Sequence, residues 1–195
     1  MEAIRFVPHK TAIIVVDLQK GIVGLTGVPH TGATVVRNTA RILKAGRKAQ
    51  AHVVLVHVGG AGDGRDRLHP IADNAMTPGQ RPPDWADLVP ELEQAPGDIV
   101  ILKRQWGAFY GTDLDLQLRR RAITDLIVCG IATEFGVEST VRDAYERGYQ
   151  QVLVADAMTA LNAASHENAT GHVFPRVGRV RDTDTVIAAL EACTA

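Results

Sequence analysis

The chain has 195 residues, a hydrophobic content of 46% and a formal net charge of -1 from 21 Lys and Arg against 22 Asp and Glu. This is enough apolar material for one α/β domain with a sizeable core, spanning residues 1–195. The charge balance excludes the basic field of a nucleic-acid binder, and no apolar run approaches the roughly 20 residues needed to cross a bilayer. The first residues, MEAIRFVPHK, lack the apolar core of a signal peptide. Two cysteines, Cys129 and Cys193, cannot build a disulfide framework. Both points lead to the expectation of a reducing, cytoplasmic setting.

Thr11 to Val16, TAIIVV, is a continuous β-branched run that predicts a central strand covered on both faces. It ends at Asp17-Leu18-Gln19. A carboxylate directly after a buried strand is costly unless it is paired or functional; the alternative is a helix cap or a turn. Gly21 to Gly32 is expected to be a loop. Ala33 to Gln50 is predicted helical, with Val35, Val36, Thr39, Ile42, Leu43 and Gly46 towards the sheet. Val53 to Val58 predicts the second strand, with His57 near its end.

Gly59 to Pro83 is the least regular stretch, rich in Gly, Pro and Asp, with Arg65, Arg67 and Arg81. Loops of this length in compact domains are usually lids or oligomer contacts. The three arginines are candidates for an anionic substrate, against the plainer reading of solvated loop residues. Asp84 to Glu93 is expected to hold a short helix around Trp85 and Leu88. Ile99 to Leu102 predicts the third strand and runs into Lys103-Arg104. The aromatic loop QWGAFYG, residues 105–111, follows. Trp106, Phe109 and Tyr110 are candidate walls of a substrate pocket, or else a hydrophobic patch or subunit contact. Asp113 to Arg121 is predicted helical, with a basic end suited to a helix C-terminus.

Leu126 to Cys129 predicts the fourth strand, broken at Gly130. After Thr133 the pattern becomes helical, with Val137, Val141, Ala144, Tyr145 and Gly148 on one face. Gln151 to Ala155 predicts the fifth strand, ending at Asp156. Ser165 to Phe174 is expected to be a helix capped by Ser165 and stopped by Pro175. Val177 to Arg181 predicts an edge strand, and Asp182 to Ala192 the last helix. Alternating strands and helices with short connections predict a parallel sheet with helices on both faces. In such sheets ligands bind at the carboxyl ends of strands, above helix N-termini. Asp17, Lys103 and the turn from Gly130 to Gly136 would then share one edge.

Three motifs in order carry a resemblance: VVDLQ, KRQWGAFYGTDL and GIATEFGVESTVRDA. Together they resemble the isochorismatase-like hydrolases, also called the cysteine hydrolase superfamily. The resemblance implies a three-layer α-β-α Rossmann-like fold with a six-stranded parallel sheet in the order 3-2-1-4-5-6. It implies a non-proline cis peptide at Ile131–Ala132. It also implies that Asp17 and Lys103 are catalytic residues and that the amides of Ala132 and Gly136 hold an oxyanion. In most of that superfamily the slot of Gly136 is a nucleophilic cysteine. Glycine here implies the branch that lacks it, as in the isochorismatases proper.

Without the thiol, acid–base chemistry remains. Asp17 could protonate a vinyl ether, with water capturing the resulting cation, and Lys103 could support the charge or bind a substrate carboxylate. Two alternatives stand beside this reading: an amidase in which Asp17 activates water, and an inactive member that binds a small anion. Gln19 is a candidate to orient Asp17 or touch substrate. His57, His69, His166 and His172 lack the compact spacing of a metal site, so no metal and no cofactor are expected. The expected partners are a small-molecule substrate and further copies of the chain, as a dimer or tetramer, with neither nucleic acid nor membrane.

Overall fold

The computed structural model describes residues 4–74 and 81–193. Its centre is β1, Thr11–Val16, every residue of which is buried. The β-branched run forbids easy helix formation and suits a strand enclosed on both sides. After it come a short helix α1, Lys20–Val23, the long helix α2, Gly32–Lys48, and β2, His52–Val58. Then follow β3, Ile99–Lys103; α3, Leu114–Arg120; and β4, Asp125–Ile131. A π-helical turn, Thr133–Val137, leads into α4, Glu138–Glu146. The chain continues with β5, Gln150–Thr159; α5, Ala163–Asn168; and α6, Phe174–Val177. It closes with β6, Arg179–Arg181, and α7, Thr183–Glu191.

All six strands are parallel, in the order β3-β2-β1-β4-β5-β6. The order implied by the resemblance is therefore the observed one. Side chains alternate across the sheet and feed two cores. On one face Ile13, Val15, Leu55 and Cys129 pack with Val35, Ile42 and Leu43 of α2 and Val186 and Leu190 of α7. On the other, Ile14, Val16, Val56 and Val128 pack with Leu114 and Leu118 of α3 and Val137, Val141 and Ala144 of α4. Among the described residues no helix is long and apolar enough to cross a membrane.

Several local expectations need correction. The stretch after Gln19 is not all loop, because α1 opens it. Within Asp84 to Glu93 the short helix is a 3₁₀ turn at Pro90–Leu92; around Trp85 the chain makes turns, and Leu88 makes a single antiparallel bridge with Gln19. β5 runs past Asp156 to Thr159, with its register against β4 shifting between Val128 and Gly130. The helix expected from Ser165 begins at Ala163, capped by the Asn162 side chain accepting from Ala164 N–H. Pro175 does not stop it. It lies in the first turn of α6, where a missing N–H costs little. Tyr145, expected on one face with Val137, Val141 and Ala144, is 52% exposed while those three are buried. Part of the Gly59 to Pro83 loop, residues 75–80, lies outside the described residues.

Candidate active site

At the carboxyl edge of β1, Val16 pairs with Gly130 of β4. A side chain at Gly130 would meet the Val16 carbonyl oxygen at 2.0 Å, and its φ is +129°. Only glycine lets β1 and β4 approach this closely at the site. Asp17 follows with φ 54°, its N–H donating to Val56 O at 2.8 Å. That left-handed turn keeps its carboxylate at the edge of the sheet, where it is 5% exposed.

Lys103 arrives from β3, on the far side of β2. Its side chain has no exposed area, and its Nζ lies 2.8 Å from Asp17 Oδ2. Nζ also donates to the carbonyl of Trp106. Asp17 Oδ1 is buried without a hydrogen-bond partner among the described residues. Burial raises the Asp17 pKa from 3.8 to about 6, against the opposing pull of Lys103 and, more weakly, His57. A group tuned to this range can hold or release a proton near neutrality.

The third corner is Gly136. A Cβ on it would stand 3.0 Å from Asp17 Oδ2, 3.1 Å from Lys103 Nζ and 3.1 Å from Val16 Cγ1. The glycine thus faces the ion pair directly, with the pair closed over the space a side chain would take. Its turn begins at the Ile131–Ala132 peptide, which is cis. Two threonines hold the turn. Thr140 Oγ1 donates to Gly136 O at 2.6 Å and accepts from Ala108 N–H at 3.1 Å, tying the turn to the loop whose Trp106 carbonyl caps Lys103. Thr133 Oγ1 lies 2.9 Å from His166 Nδ1, deep in the protein. Sequence reasoning passed over Thr140 and weighed His166 only as a metal ligand. The signal for Thr140 was its place one helical turn after Gly136, where a hydroxyl can bond back to the i−4 carbonyl.

The structure separates the remaining candidates. Gln19 is fully buried, and its amide is spent on backbone. Its Oε1 accepts from Val58 N–H, and its Nε2 donates to the carbonyls of Val58 and Trp85. It braces the site and does not reach towards a ligand. Phe109 is not a pocket wall, being 3% exposed and stacked on Tyr149 in the α3–α4 core. Tyr110 is 76% exposed. Trp106 is 60% exposed and leans on Phe135, the neighbour of Gly136, with ring centroids 4.9 Å apart. That leaves Trp106 as the aromatic beside the pair. Arg65 is spent on Asp63 at the surface. Among the described residues no group of three or more His, Cys, Asp and Glu could hold a metal ion.

Cys129 is in the interior of β4 and belongs to the α2–α7 core, on the opposite face from Val16 and Val137. It is fully buried, lies 3.6 Å from Thr39 Oγ1, and its thiol is pushed up to about 12 by burial. Cys193 is exposed after α7.

A family model described as the isochorismatase domain matches residues 11–185. The chain is 45% identical over 178 residues to the isochorismatase family protein YwoC of Bacillus subtilis, covering 90% of this chain and 92% of that one. It is 35% identical to the ureidoacrylate amidohydrolase RutB of Serratia proteamaculans, covering 80% of this chain and 72% of that one. An isochorismatase family protein from Burkholderia thailandensis superposes with a TM-score of 0.92 at 42% identity, covering 97% of this chain and all of that one.

Proposed function

Because this chain belongs to the isochorismatase family, we propose that it is a hydrolase of a small anionic molecule that works without a covalent cysteine intermediate, as one domain. The observation that carries this is the facing of Gly136 onto the Asp17–Lys103 pair, with a Cβ position 3.0 and 3.1 Å from their polar atoms. The slot beside the acid–base pair offers backbone only. Cys129 lies on the other face of the sheet with its pKa pushed up to about 12, so it supplies no thiolate.

In the leading reading Asp17 is the acid. Protonated, it gives its proton to the terminal carbon of a vinyl ether. The ether oxygen stabilises the resulting cation, water adds, and the adduct collapses to a carbonyl compound and an alcohol. Burial favours the protonated acid, and Lys103 holds the carboxylate once the proton has left. The buried, unpartnered Asp17 Oδ1 supports this reading, as the carboxyl oxygen not taken up by Lys103.

A second reading has its own support in the RutB relatives, which act on an amide substrate by name. Here ionised Asp17 takes a proton from water, the water attacks a carbonyl, and the amides of Ala132 and Gly136 hold the oxyanion; as it collapses the C–N bond breaks, Asp17 returns the proton to the leaving nitrogen, and an acid and an amine are released. A turnover screen over vinyl ethers, primary amides and esters separates the two. Hydrolysis of none of them, with anion binding retained, would leave a binding protein and end both readings.

We also read the chain as a dimer or tetramer. Exposed Trp106 and Tyr110, and exposed Val100 and Leu102 on the outermost strand β3, support this. Light scattering that gives only the monomer mass at micromolar concentration would refute it.

A further inference from the structure

The turn that faces the Asp17–Lys103 pair is gripped from two sides. From the loop of Trp106, Ala108 N–H donates to Thr140 Oγ1, which itself donates to Gly136 O. The second grip comes from the segment that joins β5 to α5 and from α5 itself. Glu134 Oε1 accepts from Leu161 N–H at 2.9 Å. Thr133 Oγ1 and His166 Nδ1 share a hydrogen bond of 2.9 Å. Thr133 directly follows Ala132, so this bond holds the turn at its first residue.

His166 is fixed by groups outside the turn. Its N–H donates to Asn162 O at 3.2 Å, and its carbonyl accepts from Thr170 Oγ1 at 2.8 Å. The His30 ring stands edge-on to the His166 ring, with centroids 6.1 Å apart and planes at 88°. His30 is in turn bound to the end of β5. Its carbonyl accepts from Thr159 Oγ1 at 2.6 Å, and Val28 and Ala160 exchange two backbone hydrogen bonds of 2.9 Å. The imidazole thus has a set direction independent of the turn that it meets.

Stability alone does not explain the contact. Thr133 is fully buried and His166 is 6% exposed. Withdrawing a hydroxyl and an imidazole from water offsets most of what their hydrogen bond returns, so an apolar pair of the same shape would fold about as well. What the bond contributes is direction. It holds the Thr133 side chain in one rotamer, and with it the backbone that runs from Ala132 to Gly136. At a reacting centre a displacement of about 1 Å can cost about 10² in rate.

We propose that His166 is a positioning residue for the reaction: through Thr133 it sets the Ala132–Gly136 turn against the Asp17–Lys103 pair. This rests on the reading of that turn and pair as the reacting centre. His166 itself carries no proton in the reaction. Its task is done by the ring nitrogen nearest the Cβ, the only one that meets Thr133.

The test compares variants of the intact chain: Thr133→Val, His166→Phe, the two together, His166→Asn and His166→Gln. Three quantities are read: the melting temperature, the backbone amide resonances of Ala132 and Gly136 in ¹⁵N-labelled protein, and kcat and KM on the substrate returned by the turnover screen. Each apolar single variant leaves one buried polar group unpaired, so its melting temperature should fall. Its kcat should fall at least about tenfold, with KM within about twofold of wild type. The double variant removes both polar groups. It should regain most of the melting temperature while kcat stays low and both amide resonances stay displaced. His166→Asn places an amide where Nδ1 stands and should keep near-wild-type turnover, whereas the longer His166→Gln should not. The amide resonances need no substrate and decide the point by themselves. Turnover that returns with the melting temperature in the double variant overturns the proposal. So do Ala132 and Gly136 resonances that stay in place in every variant, or a glutamine variant as active as the asparagine one. Asp17→Asn, run alongside, tests the acid–base reading separately: wild-type turnover there ends that reading and leaves the amide displacements as they are in the Thr133 and His166 variants.

Discussion

Cys129 and Gly136 lie on either side of one turn, yet their surroundings are opposite. Cys129 carries a thiol but lies in the α2–α7 core, fully buried. Gly136 carries no side chain but faces a carboxylate and an ammonium, with a Cβ position 3.0 and 3.1 Å from them. The contrast teaches that reactivity follows placement at the sheet edge before it follows residue type. A thiol raised to about 12 in a strand interior is packing material. A backbone turn beside a desolvated Asp–Lys pair is the better candidate for chemistry.

The hardest test of that contrast is at the pair itself. Asp17→Asn keeps the shape but can neither give nor take the working proton, so kcat should fall by about 10² to 10⁴. Cys129→Ala should stay within a few-fold of wild-type turnover, since the cysteine touches only core groups. Steady-state kinetics on the two variants, with circular dichroism to check folding, read the outcome. Comparable losses in both would erase the distinction.

The pH profile sharpens it and also divides the two readings. The Asp17 pKa is raised from 3.8 to about 6. If Asp17 is the acid, the active form is protonated. Rate should then be flat below about pH 6 and fall tenfold per unit above it. If it is the base, the active form is ionised, and the rate should fall tenfold per unit below about pH 6 instead. Stability follows the same titration. The raised folded pKa makes the Asp17 contribution most favourable below 3.8 and loses it as pH rises through about 6. Asp17→Asn should remove both dependences, while Cys129→Ala should leave both in place. A wild-type rate profile with no break near pH 6 would count against either role.

Gly136→Ala is a smaller perturbation of the same point. The new methyl must push on Asp17 Oδ2, Lys103 Nζ and Val16 Cγ1, all at 3.0–3.1 Å. Overpacking of this kind costs about 1–3 kcal/mol. The melting temperature should drop, and turnover with it, as the ion pair spreads. Gly171→Ala is the matched control, because nothing lies within 4 Å of its Cβ position. Equal melting temperatures for Gly136→Ala and wild type would mean that the pair does not close over Gly136 in solution.

Much of this was legible in the sequence because short-range patterns carried it. TAIIVV could only be an enclosed strand, and it is one, Thr11–Val16. The face of α2, from Val35 to Gly46, is buried as its spacing requires. Asp17 and Lys103 were visible as strand-end charges, and the parallel topology brought them to one edge. What the sequence hid depends on three-dimensional partners. Phe109 reads like Trp106 in a one-dimensional aromatic loop, and only the packing of α3 against α4 separates them. Gln19 reads as a site residue until the carbonyls of Val58 and Trp85 claim it. Pro175 reads as a stop, because a sequence cannot show that a new helical stretch begins one residue earlier, at Phe174.

The smallest expected effect is none at all, and it bears directly on Cys129. Alkylation requires a thiolate that a reagent can reach. With a pKa of about 12 and no exposed surface, Cys129 is ionised in about one molecule in 10⁵ at pH 7, and that fraction is sealed in the core. Cys193 is exposed beyond α7 and will react. Iodoacetamide should therefore place a single adduct on the native protein, on Cys193, and leave turnover unchanged. In Cys193→Ser the native protein should take no adduct, and Cys129 should become reactive only after unfolding in denaturant. Intact-mass measurement and residual activity on the same samples follow both at once. Cys193 lies after α7 and its thiol bonds to Phe6 and Ala189 carbonyls, so its modification has no route to the Asp17–Lys103 pair. If activity in Cys193→Ser is lost in step with an adduct on Cys129, the strand thiol is reachable and catalytic, and Gly136 is not the centre of the chemistry.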